Sequence, residues 1–365
     1  MSKKKLVRKN ILKMQSYLPG KPIKEVQREL GIKDIVKLAS NENSFTPPRR
    51  VIDAVKKELS SLNRYPEGSG IYLRQALSRK LGVPTDYIIL GNGTDEIIEL
   101  IGKTFVDNND EIIVSEGAFI RYEMVGDLMG CRVVSVPMKN FTHDLRGFRK
   151  AITQRTKVVF IANPNNPTGT YVSKKEVEWF LKSVPSRVLV VFDEAYYEYV
   201  QEKDYPQTIP YVKKLDNVIV LRTFSKIYSL AGLRIGYGVA VPELIDYLNR
   251  IRPPFNTSTV AQAAAQAALS DKEHLKKTLK FVAEGKRFLY AKLKEMGLAF
   301  VPSAANFILV DVGRKSKEVF MRILKEGVIV RAMEEYGFGT YIRVTIGLEK
   351  ENKKFLKALT KVLSR

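Results

Sequence analysis

The sequence predicts an α/β protein: a mostly parallel sheet flanked by helices in a large domain, with a smaller α/β domain beside it. Three observations carry this. At 365 residues the chain exceeds one ordinary core. Between about residues 86 and 240, short apolar runs alternate with helical stretches. After Arg252 the pattern changes: RPPF breaks the chain, and a second set of helices and β-rich runs follows.

Taken in order, YIIL (87–90) precedes GNGTDEIIELIGKTF, and EIIVS (111–115) precedes RYEMVGDLMG. CRVVSVPM, KVVFIANP, RVLVVFDEAY and NVIVLRTFSK follow, the last three separated by segments long enough for crossover helices. Nearly continuous Val/Ile/Leu runs joined this way suit strands buried on both faces of a parallel sheet. A long helical stretch from about Thr257 to Met296, then FILVDV, GVIVRAM and YIRVTIG, reads as the smaller domain. We place the large domain at 46–252, and the small one at 253–365 together with the N-terminal segment 1–45.

Hydrophobic residues at 45% and charged ones at 27% fit a soluble globular chain and exclude a disordered or fibrous one. No apolar run approaches the roughly 18 residues that span a bilayer. The basic N-terminus has neither an apolar signal core nor a small-residue cleavage site. Cys131 is the single cysteine, so an internal disulfide is impossible and a reducing cytoplasm fits. It reads as a small core residue and Trp179 as structural. With only His143 and His274, histidine-based metal or triad chemistry has little material. The net charge of +22 raises nucleic-acid binding, but the lysines are spread along the chain and mixed with glutamates. A solvated Lys/Glu-rich surface is the better reading, and its field would draw in a phosphorylated, anionic substrate.

Ligands of such folds sit at the carboxyl ends of strands. The unusual residues here follow strands: GNGTDE, NPNNPTG, DEAY and TFSK. Asp193 ends VLVVFD; alone, it reads first as a turn cap. Lys226 is harder to dismiss, because a lysine amine attacks carbonyls once burial or nearby cations lower its pKa. Thr223, Ser225 and Arg234 around it could hold a phosphate. Gly91, Gly93 and Thr94 open a helix and offer backbone N–H groups to an anion. GNGTDE lacks the third glycine of the dinucleotide fingerprint, and no GxxxxGK[ST] occurs, which disfavours a Rossmann dehydrogenase. NPNNPTG makes a turn that can set the Asn166 amide against a polar ligand atom.

Together, GNGTDE, NPNNPTG, DEAY and SKIYSLAGLRIGY resemble the motif set of fold-type I pyridoxal-phosphate aminotransferases. Within that family the chain is most similar to the histidinol-phosphate aminotransferase branch, from YLPGKP and LASNEN to YIRVTIG. The resemblance implies pyridoxal 5′-phosphate as cofactor, with Lys226 its Schiff-base lysine and the base at the substrate Cα. It implies that Asp193 pairs with the pyridine nitrogen and that Asn166 and Tyr196 bond the ring's 3′ oxygen. Tyr122, in EGAFIRY, would stack on the ring, although the lead-in departs from the usual P-T-[FY]-x-x-Y. Gly93, Thr94, Asp95, Thr223, Ser225 and Arg234 would surround the cofactor phosphate. Tyr65 would reach the neighbouring subunit's phosphate, implying a homodimer with shared active sites. Tyr17, Arg331 and Arg343 would bind a substrate phosphate, with Asn306 near the substrate.

The implied reaction passes an amino group between L-histidinol phosphate, a phosphorylated amino substrate, and 2-oxoglutarate, a 2-oxo acid. Aromatic amino acid aminotransferases and threonine-phosphate decarboxylase are same-fold rivals. A regulator that keeps such a domain for sensing is disfavoured, since about 40 residues before LASNEN are too few for a helix-turn-helix module and linker.

Overall fold

The chain is described here by a computed structural model covering residues 6–14, 16, 20 and 22–364. Strand β1 (Val36–Lys37) precedes a seven-stranded sheet made of β2 (Ile88–Asn92), β3 (Glu111–Ser115), β4 (Arg132–Val136), β5 (Thr156–Ala162), β6 (Leu189–Asp193), β7 (Val218–Thr223) and β8 (Ile235–Val239). Their spatial order is β2-β8-β7-β6-β5-β3-β4. Only β8 runs against its neighbours.

The apolar runs are continuous because both faces are covered. Val159, Ile161, Val190, Phe192 and Val220 enter one core cluster, while Val158, Phe160, Val191, Ile219 and Leu221 enter another. Successive side chains of a strand point to opposite faces, so each run feeds two cores. Full burial of each such side chain contributes about 1.5–3 kcal/mol. Helix Gly93–Phe105 supplies Ile97, Ile98, Leu100 and Ile101 to the second cluster.

Past residue 252 the chain forms β9 (Phe300–Val301), β10 (Phe307–Asp311), β11 (Val328–Ile329), β12 (Arg331–Ala332) and β13 (Tyr341–Thr345). An antiparallel sheet runs β12-β13-β10-β9, and β11 instead pairs in parallel with β1. GVIVRAM therefore divides at Val330 and serves two sheets. Through β1 and the helix Ile23–Leu30, whose Val26 clusters with Ala39, Leu324 and Ile329, the N-terminal segment packs on the C-terminal part.

One expected element is corrected. The stretch predicted as a single helix from Thr257 to Met296 is two, Thr259–Leu269 and Lys272–Glu295. The break falls at Ser270–Asp271, where the Asp271 carboxylate caps the second helix by accepting from His274 N at 2.8 Å. The first helix buries Ala261, Ala264, Ala265 and Ala268, one face at i, i+3, i+4, i+7. With that small-residue face it packs on helices Arg49–Glu58 and Ile71–Leu81, so the segment just after Arg252 lies against the large part. Among the described residues no helix is long and apolar enough to cross a membrane.

Candidate active site

The strand ends converge on a cavity of about 290 Å³. Its wall contains Thr94, Asp95, Tyr122, Asn166, Asp193, Tyr196, Thr223, Ser225, Lys226 and Arg234. Ser40, Glu42, Phe119 and Ala231 complete most of it, and none of these four was singled out as a site residue in the sequence.

At one end lies an anion cradle. Helix Gly93–Phe105 points its N-terminus there, where unpaired N–H groups and the helix dipole favour negative charge. Arg234 holds a left-handed backbone (φ 52°) that turns it back towards Asp95 Oδ2 (3.1 Å) and Ser225 Oγ (3.2 Å). Thr223 Oγ1 accepts from Ser225 N at 3.0 Å, which folds the turn between β7 and Lys226. Gly93 does not line the cavity but is required beside it. Its φ is +71°, and a Cβ there would stand 2.4 Å from Arg234 Nη2.

At the other end Asp193, buried at the tip of β6, accepts from Tyr122 Oη at 2.8 Å and from Ala195 N at 3.2 Å. Burial pushes its carboxyl up to about 6 against the pull of the Tyr122 bond. Lys226 Nζ lies between the two ends, 3.3 Å from the Ser40 carbonyl and 5.7 Å from the Tyr196 ring centre. Burial, and then the Arg343 charge, bring its amine down to about 8.

Arg343 sits behind the wall. Its guanidinium donates to Asn166 Oδ1 and to the Ala39 carbonyl (2.7 Å), over the Phe307 ring. Arg331 is its direct cross-strand partner, so both arginines rise from the same face of the sheet. The Arg331 side chain reaches Glu335 at 2.8 Å.

Two placements, those of Asn306 and Tyr122, differ from expectation. Asn306 is off the cavity wall; its Nδ2 donates to the Asn41 carbonyl at 3.1 Å, so it braces a neighbour. The Tyr122 ring is stacked on Phe160 (4.9 Å, 8°) and its hydroxyl is taken up by Asp193. Phe119, three residues earlier in the loop ahead of helix Arg121–Met129 and half-buried, is the more open ring in the wall. The aromatic position of the P-T-[FY]-x-x-Y pattern falls on Phe119, and that was the available signal. Tyr65 is 81% exposed, away from this chain's own cavity, and stacks on Phe255 at 4.6 Å. Tyr17 lies outside the described residues.

This donor set fits a phosphorylated aromatic aldehyde. The cradle suits a dianion, the buried carboxylate suits an N–H⁺, and a lysine with a lowered pKa suits a carbonyl. The chain belongs to the class I and II aminotransferases: that family's model matches residues 33–359. Histidinol-phosphate aminotransferases are among its relatives. It is 50% identical to that of Moorella thermoacetica, over 98% of this chain and 93% of the relative. It is 48% identical to that of Caldicellulosiruptor saccharolyticus, over 98% and 100%. The Sinorhizobium meliloti histidinol-phosphate aminotransferase, solved in complex with pyridoxal 5′-phosphate, superposes with a TM-score of 0.90 at 29% identity, covering 98% of this chain and 97% of that one.

Proposed function

We propose that the protein is a pyridoxal-phosphate aminotransferase that moves the amino group of L-histidinol phosphate to 2-oxoglutarate. The observation that carries the substrate reading is the Arg331–Arg343 pair. Two guanidiniums on directly opposed strand positions concentrate positive charge on one face of the sheet, a setting that suits an anionic substrate group. Arg343 joins that pair to the cavity through Asn166.

Bound pyridoxal phosphate supplies an electron sink that weakens the bonds at the substrate Cα. The remaining work falls to side chains. Thr94, Ser225, Arg234 and the start of helix Gly93–Phe105 grip the phosphate, with Thr223 and Asp95 bracing the grip. The Asp193 carboxylate holds the proton on the pyridine nitrogen, and the Tyr122 hydroxyl keeps that carboxylate in place. Tyr196 Oη, and Asn166 Nδ2 once Oδ1 is engaged by Arg343, donate to the ring's 3′ oxygen. Phe119 covers the ring. Lys226 Nζ, its amine brought down to about 8 by burial, takes the proton from the substrate Cα.

In this reading residues 46–252 hold the cofactor, while 1–45 and 253–365 bring the substrate groups, Tyr17, Arg331 and Arg343. The enzyme is a cytoplasmic homodimer in which Tyr65 completes the partner's site. Leu59, Leu62, Tyr65, Tyr72 and Phe255, each more than 40% exposed, support a buried face there.

Arg343→Ala tests the substrate assignment. Loss of a charge-assisted contact to the phosphate lowers kcat/KM for histidinol phosphate by about 100-fold. Unchanged turnover of histidinol phosphate, or faster wild-type turnover of phenylalanine or tyrosine, contradicts the assignment.

A further inference from the structure

Asn41, in the LASNEN segment, is 1% exposed and takes a left-handed backbone (φ 55°), unusual for a buried residue other than glycine. It is not part of the cavity wall, although its neighbours Ser40 and Glu42 are. Four hydrogen bonds use its polar groups. Its Nδ2 donates to Tyr196 Oη at 2.9 Å. Its backbone N–H donates to Thr345 Oγ1 at 2.9 Å, and Thr345 Oγ1 donates back to Asn41 Oδ1 at 3.2 Å. Its carbonyl accepts from Asn306 Nδ2 at 3.1 Å.

The Thr345 hydroxyl fixes which way the amide faces. It must accept from the backbone N–H and donate to Oδ1, which leaves Nδ2 as the only group of Asn41 that can meet the phenol. Thr345 ends β13, two residues after Arg343 and on the same face of the strand. One buried side chain therefore joins the strand of the substrate arginine to the hydroxyl of Tyr196.

We propose that Asn41 is a positioning residue. By donating to the phenol oxygen it aims the Tyr196 O–H at the cofactor's 3′ oxygen and strengthens that donation, and it ties this setting to β13. The inference rests on the reading of Tyr196 given above. A phenol that accepts one hydrogen bond is a stronger donor in the next. Negative charge on the 3′ oxygen is then better stabilised, which keeps the pH midpoint of the bound cofactor's visible absorbance change low. Asparagine is needed because aspartate has no N–H. An aspartate at position 41 would attract the phenol proton to itself and away from the cavity.

The test is a pH titration of visible absorbance on the holoenzymes of Asn41→Gly, Asn41→Asp and Tyr196→Phe, with thermal unfolding alongside. Glycine accepts the left-handed backbone and keeps both main-chain bonds, so Asn41→Gly removes only the amide. Its midpoint should rise by about half a unit to one unit, the effect of one net hydrogen bond. Asn41→Asp should approach the larger rise of Tyr196→Phe, with kcat lowered more than KM. If either Asn41 variant fails to fold, Thr345→Val, which frees the amide to rotate, takes its place and should raise the midpoint in the same direction. A rise in Tyr196→Phe with none in the other variants overturns the positioning role, whatever their melting temperatures. No rise in Tyr196→Phe overturns the reading of Tyr196 itself, and the inference with it.

Discussion

Burial disfavours the charged forms of both Asp193 and Lys226, and the consequences for stability at the two residues have opposite signs. The Asp193 carboxyl, raised to about 6, binds more protons folded than unfolded between about pH 4 and 6. Its ionisation therefore costs stability as pH rises through that window, and the full cost is present above 6. Asp193→Asn should make the cofactor-free protein more stable above pH 6 by roughly 2–3 kcal/mol, with no gain below pH 4. Its activity should fall at least ~100-fold, because a neutral amide no longer holds the pyridine proton. Urea unfolding of variant and wild type at pH 4 and pH 8 checks the first part; the same difference between them at both pH values contradicts it. Lys226 behaves conversely: lowered to about 8, it lets stability rise as pH climbs from 8 towards 10.5. Gly93 gives a purely steric case. Gly93→Ala should weaken cofactor binding about 10-fold or more, measured by absorbance titration, since the new Cβ displaces Arg234 and strains φ. The chemistry at this scale was largely legible in the sequence because it follows strand ends. Asn41 was not legible, since its function depends on contacts with residues some 155 and 304 positions away.

At the scale of elements, the strand tips are held together behind the cavity by a buried ion pair. Arg222 in β7 meets the Glu194 carboxylate next to the β6 tip at 2.8 Å, and Thr208 adds a 2.7 Å bond. Tyr197 lies under the guanidinium at 3.5 Å, and Tyr205 Oη donates to the Asn163 carbonyl that opens NPNNPTG, with Glu194 Oε1 3.4 Å away. Arg222→Met leaves Glu194 buried without its cation and should destabilise by about 3–5 kcal/mol in urea unfolding. The double variant with Glu194→Met should recover most of that loss; a double variant no better than the single one would show that the pair is not the unit. The run-and-helix alternation made the main sheet legible, whereas its strand order, with β8 reversed between β2 and β7, is set by packing. The Ser270–Asp271 break was missed because apolar spacing continues across it and only the cap of Asp271 marks it. GVIVRAM read as one strand, since nothing local tells Val328 from Arg331 as partners of different sheets.

The whole molecule is charged unevenly. Of the 61 Lys and Arg, 32 lie in segments 1–45 and 253–365, together with only 15 of the 39 Asp and Glu. Those segments carry the substrate arginines in the proposed function, and most of the net positive charge belongs to them. For histidinol phosphate, kcat/KM should fall several-fold between about 0.05 and 0.5 M salt, as screening shortens the field. The same salt should affect unphosphorylated histidinol much less; equal effects on both would remove steering as the cause. The most direct test of the central claim is peptide mapping by mass spectrometry after borohydride reduction of the holoenzyme. A pyridoxyl group is expected on the Lys226 peptide, lost when histidinol phosphate is added before reduction. A label on any other lysine, or none on Lys226, contradicts it.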